Sequence, residues 1–315
     1  MKIYLIPLLL CFLFGSISCN KADVFEKESV IRPTLRPHTE LDKWIDINLT
    51  KKYNIDVQYR WDANLVVDIP NVYPPDEAKI KPVLETITEL LFDIYSLKTI
   101  GGKDFVKKNS PKQILLFGSR TFYSDLGEEI SHNLKPLQMQ IFDLDSFDPA
   151  DVKKVRKVMR MAHSNFVNTL TSKYPYDIEE FKKLNFTNRK LTWNEDGKAY
   201  FPLKFGYFSP DGTWKPEQDF AETASVLLSY SRKEIDEFIQ IATTPIPIDP
   251  NDDPSLLDQR IEEKNNATKA LKTLKAKQAF VAKYYKEVLG IDLYKLQAEC
   301  AVAMYRFIKK NNKPN

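Results

Sequence analysis

The stretch Asp148–Tyr174 (DPADVKKVRKVMRMAHSNFVNTLTSKY) constrains the fold more than any other part of the chain. Asp148 offers an N-cap acceptor and Pro149 a ring already fixed for a first helical turn. Val152, Val155, Met159, Ala162, Phe166 and Leu170 then recur at steps of three and four. That spacing predicts a helix of about six turns with a core-facing stripe. His163, Ser164, Asn165 and Asn168 fall off the stripe, and Ser164 and Asn168, four apart, are neighbours on the helix surface.

Two histidines at that spacing, with a glutamate after the first, make the ligand and general-base pattern of a zinc-peptidase helix. Here a serine and two asparagines hold those places. Hydroxyls and amides are poor zinc ligands beside imidazole and carboxylate, and neither takes a proton from a metal-bound water.

Before this helix, Thr39–Lys52 reads as helical and Tyr53–Asp62 as a strand, with Asn64–Asp68 its candidate partner. Asp76 opens a helix to about Lys98, which Gly101-Gly102 ends. Gln113–Ser119 and Leu137–Leu144 read as buried strands. After it, Tyr174–Lys215 is aromatic and irregular, and Pro216 begins a helix over Glu217–Tyr230. Thr243–Pro254 is a proline- and acid-rich loop. Ser255–Leu289 is a long charged helix, interrupted near Asn265-Asn266 and ended by Gly290, and Leu293–Lys309 closes the chain. Strands first, then a helical second half, make an α+β class.

Lys2, the apolar run Ile3–Phe14 and Gly15-Ser16-Ile17-Ser18-Cys19 read as a bacterial lipoprotein signal over 1–18 with Cys19 as the lipidated residue. Residues 19–38 form a polar tether and 39–315 the folded part: a sheet portion 39–147, the motif helix 148–174 and a helical portion 175–310. Of the three cysteines, only Cys300 belongs to the folded part, on an apolar helical pattern where it reads as a small buried hydrophobe. Net charge is +3, or +2 once Lys2 leaves with the signal, which argues against a nucleic-acid partner. The 9 glycines form neither of the nucleotide-binding glycine motifs.

Several segments together carry a family resemblance: TELDKWIDINLTKKYNIDVQYRW (Thr39–Trp61), LQMQIFDLDSF (Leu137–Phe147), the motif helix, Trp193–Tyr207 and EQDFAETAS (Glu217–Ser225). In these the chain resembles the substrate import-associated zinc metallohydrolase lipoproteins, a branch of the zinc-binding metallopeptidases. The resemblance implies a zincin-like fold with a small mixed sheet and, in the family, zinc as cofactor. It also implies a lipid-anchored place at the bacterial outer membrane, beside a TonB-dependent transporter and its substrate-binding lipoprotein. Laid on the family's His-His-Glu-Phe-Ala-His pattern, Ser164 takes the first ligand position, Asn165 the general base and Asn168 the second ligand. A Glu-Asp-Phe-Ala-Glu pattern puts Gln218 at the third ligand.

The reading is therefore an inactive relative with no metal expected. Its binding cleft would be lined by His163, Ser164, Asn165, Asn168, Tyr207, Gln218 and Glu222, and would take a peptide or glycan. Alternatives stay open. An improvised metal site could draw on His163 with a carboxylate such as Glu217, Asp219, Glu222 or Glu128, which lies four residues from His132. An active hydrolase could use a relocated site, although no G-x-S-x-G segment suggests a serine nucleophile. A glycan binder could use Trp61, Trp193 and Trp214 as flat platforms, unless two or more of them are buried.

Overall fold

A computed structural model describes residues 39–312 apart from 62, 67, 68, 70, 121, 124–127, 130–134, 192–200, 246 and 248–252. The chain opens on α1 (Glu40–Ile45), a π turn at Asp46–Thr50 and α2 (Lys51–Tyr53). Asn54, left-handed at φ 59°, ends this helix and turns the chain into β1 (Asp56–Gln58). Asp76 caps α3 (Glu77–Ile87), which runs on through a π turn into α4 (Asp93–Tyr95). A short α5 (Phe105–Asn109) leads to β2 (Gln113–Leu116). The antiparallel pair β3 (Phe122–Tyr123) and β4 (Glu128–Glu129) and then β5 (Gln138–Ile141) complete the strands among the described residues.

The sheet has the order β1-β2-β5 and is parallel throughout, not mixed as expected. Parallel neighbours need a crossover, and the α3–α5 segment supplies one between β1 and β2. Of the expected hairpin partner of β1, Asn64–Asp68, the residues 64–66 belong to a 3-10 turn over Ala63–Val66, and 67 and 68 lie outside the described residues. Along one face the register brings Asp56, Gln113, Gln138 and Gln140 into a chain of side-chain hydrogen bonds. Ile114, Leu116, Met139 and Ile141 are buried in the core.

The motif helix α6 spans Val152–Lys173. Its cap is Asp151, not Asp148: the Asp151 carboxylate takes the N–H of Lys153 at 2.8 Å, while Asp148 closes a preceding turn onto Ala150 N–H. Asp148-Pro149 therefore delivers the chain to the helix without starting it. Then follow α7 (Ile178–Lys182), α8 (Pro216–Ser229), α9 (Arg232–Thr243), α10 (Pro254–Glu287) and α11 (Leu293–Asn311). Helix α9 was not expected, yet it was legible: Ile235, Phe238, Ile239 and Ala242 recur at helical steps, and Ser231 and Glu234 each bond the other's backbone N–H as a capping box. Helix α10 passes through Asn265-Asn266 unbroken. Asparagine costs a helix only a few tenths of a kcal/mol per residue, too little to stop one of 34 residues. The buried core lies within one compact unit, Glu40–Asn315.

Ser231→Ala removes one half of the α9 capping box. It should lower stability by about 1 kcal/mol, read as a fall in the urea midpoint at unchanged slope.

Candidate functional site

Helix α6 packs against β5 and also along α8. Every residue from Met161 to Leu170 is consequently buried, polar ones included. His163 is 1% exposed, Ser164 0%, Asn165 2% and Asn168 8%. The polar side expected at the helix surface thus faces protein. At 0% exposure no water-sized space reaches Ser164, so these residues do not line an open cleft.

Asn165, which the resemblance sets at the general base, is held at both ends of its amide. Its Oδ1 accepts the Gln140 N–H at 3.3 Å, and its Nδ2 donates to the Gln140 carbonyl at 3.3 Å and the Met161 carbonyl at 2.8 Å. Gln140 is on β5, the edge strand, and these two backbone groups point away from β2. One primary amide, both donor and acceptor, pairs them as a further strand would.

The neighbouring polar atoms are less well served. His163 Nδ1, Ser164 Oγ and Asn168 Nδ2 are buried without a hydrogen bond. Burial pushes the His163 imidazole down to about 3, so the ring is neutral. It lies near the Tyr95 ring, with centroids 6.5 Å apart.

On α8, Pro216 occupies the first turn. Glu217 is exposed and Gln218 half-buried, whereas Asp219 and Glu222 are each 1% exposed. Arg160 on α6 donates to Glu222 at 2.7 Å, tying the motif helix to α8. Lys277 on α10, also fully buried, sits 2.7 Å from Asp219 Oδ2 and donates to the Gly206 carbonyl at 2.8 Å. Asn185 Nδ2 reaches the same carboxylate oxygen at 3.3 Å, and the Lys277 ammonium lies 4.0 Å from the Tyr207 ring centre. Burial raises the Asp219 carboxyl and lowers the Lys277 amine from their ordinary values, and their mutual attraction opposes both shifts. Gly206 has φ 78°, and a Cβ there would come 2.7 Å from the Thr273 methyl, so glycine is required where Lys277 is received.

Sequence reasoning missed both cations. Lys277 could have been found: it stands on the apolar stripe of α10 with Ala270, Leu274, Val281 and Tyr284, where a lysine demands a buried partner. Arg160 carries no such signal, because it is one of many basic residues along the first half of α6.

Tyr207, expected to line the cleft, is buried. Its hydroxyl donates to the Thr187 carbonyl at 2.8 Å, and burial pushes it up to about 12. Trp61 is half-buried, its indole N–H on the Leu116 carbonyl and its ring against Phe117. Trp214 is 43% exposed with Lys190 near its ring. Cys300 is buried, and burial pushes its thiol up to about 12, as befits an inert core residue. Cys19, His132 and Trp193 lie outside the described residues, with the whole of 1–38.

Residues 35–294 match the family described as "Putative zinc-binding metallo-peptidase". The crystal structure of a putative zinc-binding metallo-peptidase from Bacteroides caccae ATCC 43185 superposes with a TM-score of 0.57. At 21% identity, over 85% of this chain and 92% of that one, it shows a shared fold. No curated protein matches the chain.

A zinc ion takes imidazole, thiolate or carboxylate donors. The motif positions offer a hydroxyl and amides, and the amide of Asn165 is committed to Gln140. Among the described residues no three His, Cys, Asp or Glu side chains are grouped to hold an ion, so His163, Glu217 and Glu222 do not assemble into one. The residues present do not fit the metal.

Two measurements follow from this geometry. A neutral buried His163 with a folded pKa far below that of the unfolded chain binds no proton where the unfolded state does. Its contribution is intact above about pH 6.5 and is lost as pH falls toward 3, by up to a factor of ten in the folding constant per pH unit. His163→Gln should flatten the stability–pH curve in that window. Lys277→Met leaves Asp219 buried and uncompensated and should cost about 3–5 kcal/mol, most of it recovered in Lys277→Met/Asp219→Leu.

Proposed function

Because the chain belongs to the family described as putative zinc-binding metallo-peptidase, we propose that it is a member whose motif helix serves the fold and not hydrolysis. In this reading it is a lipid-anchored component of a bacterial outer-membrane uptake system, binding cargo or a partner beside a TonB-dependent transporter. The zincin-like architecture belongs to the same reading: a small sheet, a motif helix on its edge, and a second helix bearing the third-ligand position.

Asn165 is the observation that carries it. A hydrolase of this kind needs a group at that place that can take a proton from water. An amide cannot, and this one is further immobilised by three hydrogen bonds to backbone. Anchoring rests on the sequence, on the apolar run Ile3–Phe14 ahead of Cys19. With the motif residues buried, binding belongs to the surface of the domain and not to a cleft between α6 and α8.

The purified mature chain, produced with zinc in the medium, should carry close to no zinc by elemental mass spectrometry and should cleave no peptide library. Stoichiometric zinc, removed by chelator together with hydrolysis, would overturn the non-hydrolytic reading. Loss of hydrolysis on His163→Ala with the fold intact would point to a relocated site instead. Cys19→Ala should abolish fatty-acid labelling and release the protein from the membrane fraction; unchanged labelling would refute the anchor.

A further inference from the structure

Between Lys264 and Lys286, α10 carries seven lysines and no aspartate or glutamate. Lys277 is the buried partner of Asp219. Lys269, Lys272, Lys275, Lys283 and Lys286 are all exposed and fall within about a third of the helix circumference, a strip about 26 Å long at 1.5 Å per residue. None of the five has an ion-pair or hydrogen-bond partner among the described residues.

Other cations lie beside α10. At the C-terminal end of α10 a groove of about 450 Å³ is lined by Lys103 and Lys108 together with Val288 and Leu289. Beside the middle of the strip a second groove, of about 660 Å³, brings Arg232 next to Lys275. Acids near this strip are Asp236 in the second groove, Glu287 at the end of the helix and, on the same side of α10 ahead of Lys269, Asp258 and Glu262; Asp104 lines the first groove. Val288, 45% exposed, stands among the cations at that end.

We propose that this face docks on a phosphate-bearing lipid surface. Five unpaired ammonium groups on flexible stems, set along one straight helix, suit a plane of mobile phosphates better than one shaped partner. Nineteen residues, 20–38, separate Cys19 from the folded part, a chain length of at most about 65 Å at about 3.4 Å per residue, so an anchor at Cys19 would keep the domain within reach of the bilayer. That last argument rests on the lipid anchor; the test below does not.

The buried core lies within Glu40–Asn315, so the chain from Asn20, which cannot be acylated, is the protein to use. In flotation with vesicles it should bind phosphatidylglycerol/phosphatidylcholine at least about tenfold better than phosphatidylcholine alone at 50 mM NaCl, and lose that binding at 500 mM. Changing Lys269, Lys272, Lys275, Lys283 and Lys286 to Gln should abolish binding. Changing Lys43, Lys81, Lys153, Lys182 and Lys233 to Gln, the same loss of charge on other exposed sites, should leave it within about twofold. Equal loss in both variants would assign binding to net charge and overturn the proposal. So would no flotation at low salt, or retention of the chain by polyglutamate with none by anionic vesicles, which would make the face one for an acidic polypeptide.

Discussion

The N–H and the C=O of Gln140, on the free edge of a three-stranded parallel sheet, lose water once a helix covers them and must be paired from the helix side. Asn165 does this with one side chain, and the position of every other residue on the motif helix follows from it. With Asn165 turned to β5, Phe166 and Ala162 enter the core. Arg160 is left to meet Glu222 on α8. His163, Ser164 and Asn168 are carried inside with polar atoms that find no partner. Three such atoms in one stretch of helix are a cost of order 1–3 kcal/mol each, tolerable only because the apolar face of the same helix is extensively buried.

The second constraint is charge. Asp219 and Glu222 are buried on α8, and an uncompensated buried carboxylate is among the most destabilising features a fold can contain. Each is answered by a cation from a different part of the chain: Arg160 from the motif helix and Lys277 from α10. Lys277 is satisfied in turn by the Gly206 carbonyl and the Tyr207 ring, which ties the irregular 202–207 segment to the helices. These ion pairs join the motif helix, α8 and α10 through side chains of opposite charge. They also divide the lysines of α10 into an inner one that holds the fold and an outer row that remains available to a partner.

Much of the fold was legible in the sequence. The motif helix, the helix opened by Pro216, the last helix and the strands β2 and β5 were marked by apolar spacing and by their stop signals. Where the reading went astray, a long-range interaction decided the outcome. Ala63–Val66 forms a turn because β1 takes β2 as its neighbour, a pairing across more than fifty residues that local alternation does not encode. Asp151 and not Asp148 caps α6 because the Asp148-Pro149 turn precedes it. The cleft imagined around Ser164, Asn168 and Glu222 is closed, since α6 is covered by β5 and α8 together, and periodicity reports one buried face but not a second.

By itself the sequence determined the chemistry that is ruled out at the motif helix: side-chain identity decides what can bind zinc or take a proton, and serine, asparagine and glutamine do neither well. It also determined that α10 would be lysine-rich and free of acid over most of its length. Only the tertiary structure decided what those residues do instead. That Asn165 completes a sheet edge, that Lys277 points inward to Asp219 while its neighbours point out, and that His163 is a neutral buried ring all depend on which surfaces meet. Hydrogen bonding and desolvation act between segments far apart in the chain, and no local pattern records them.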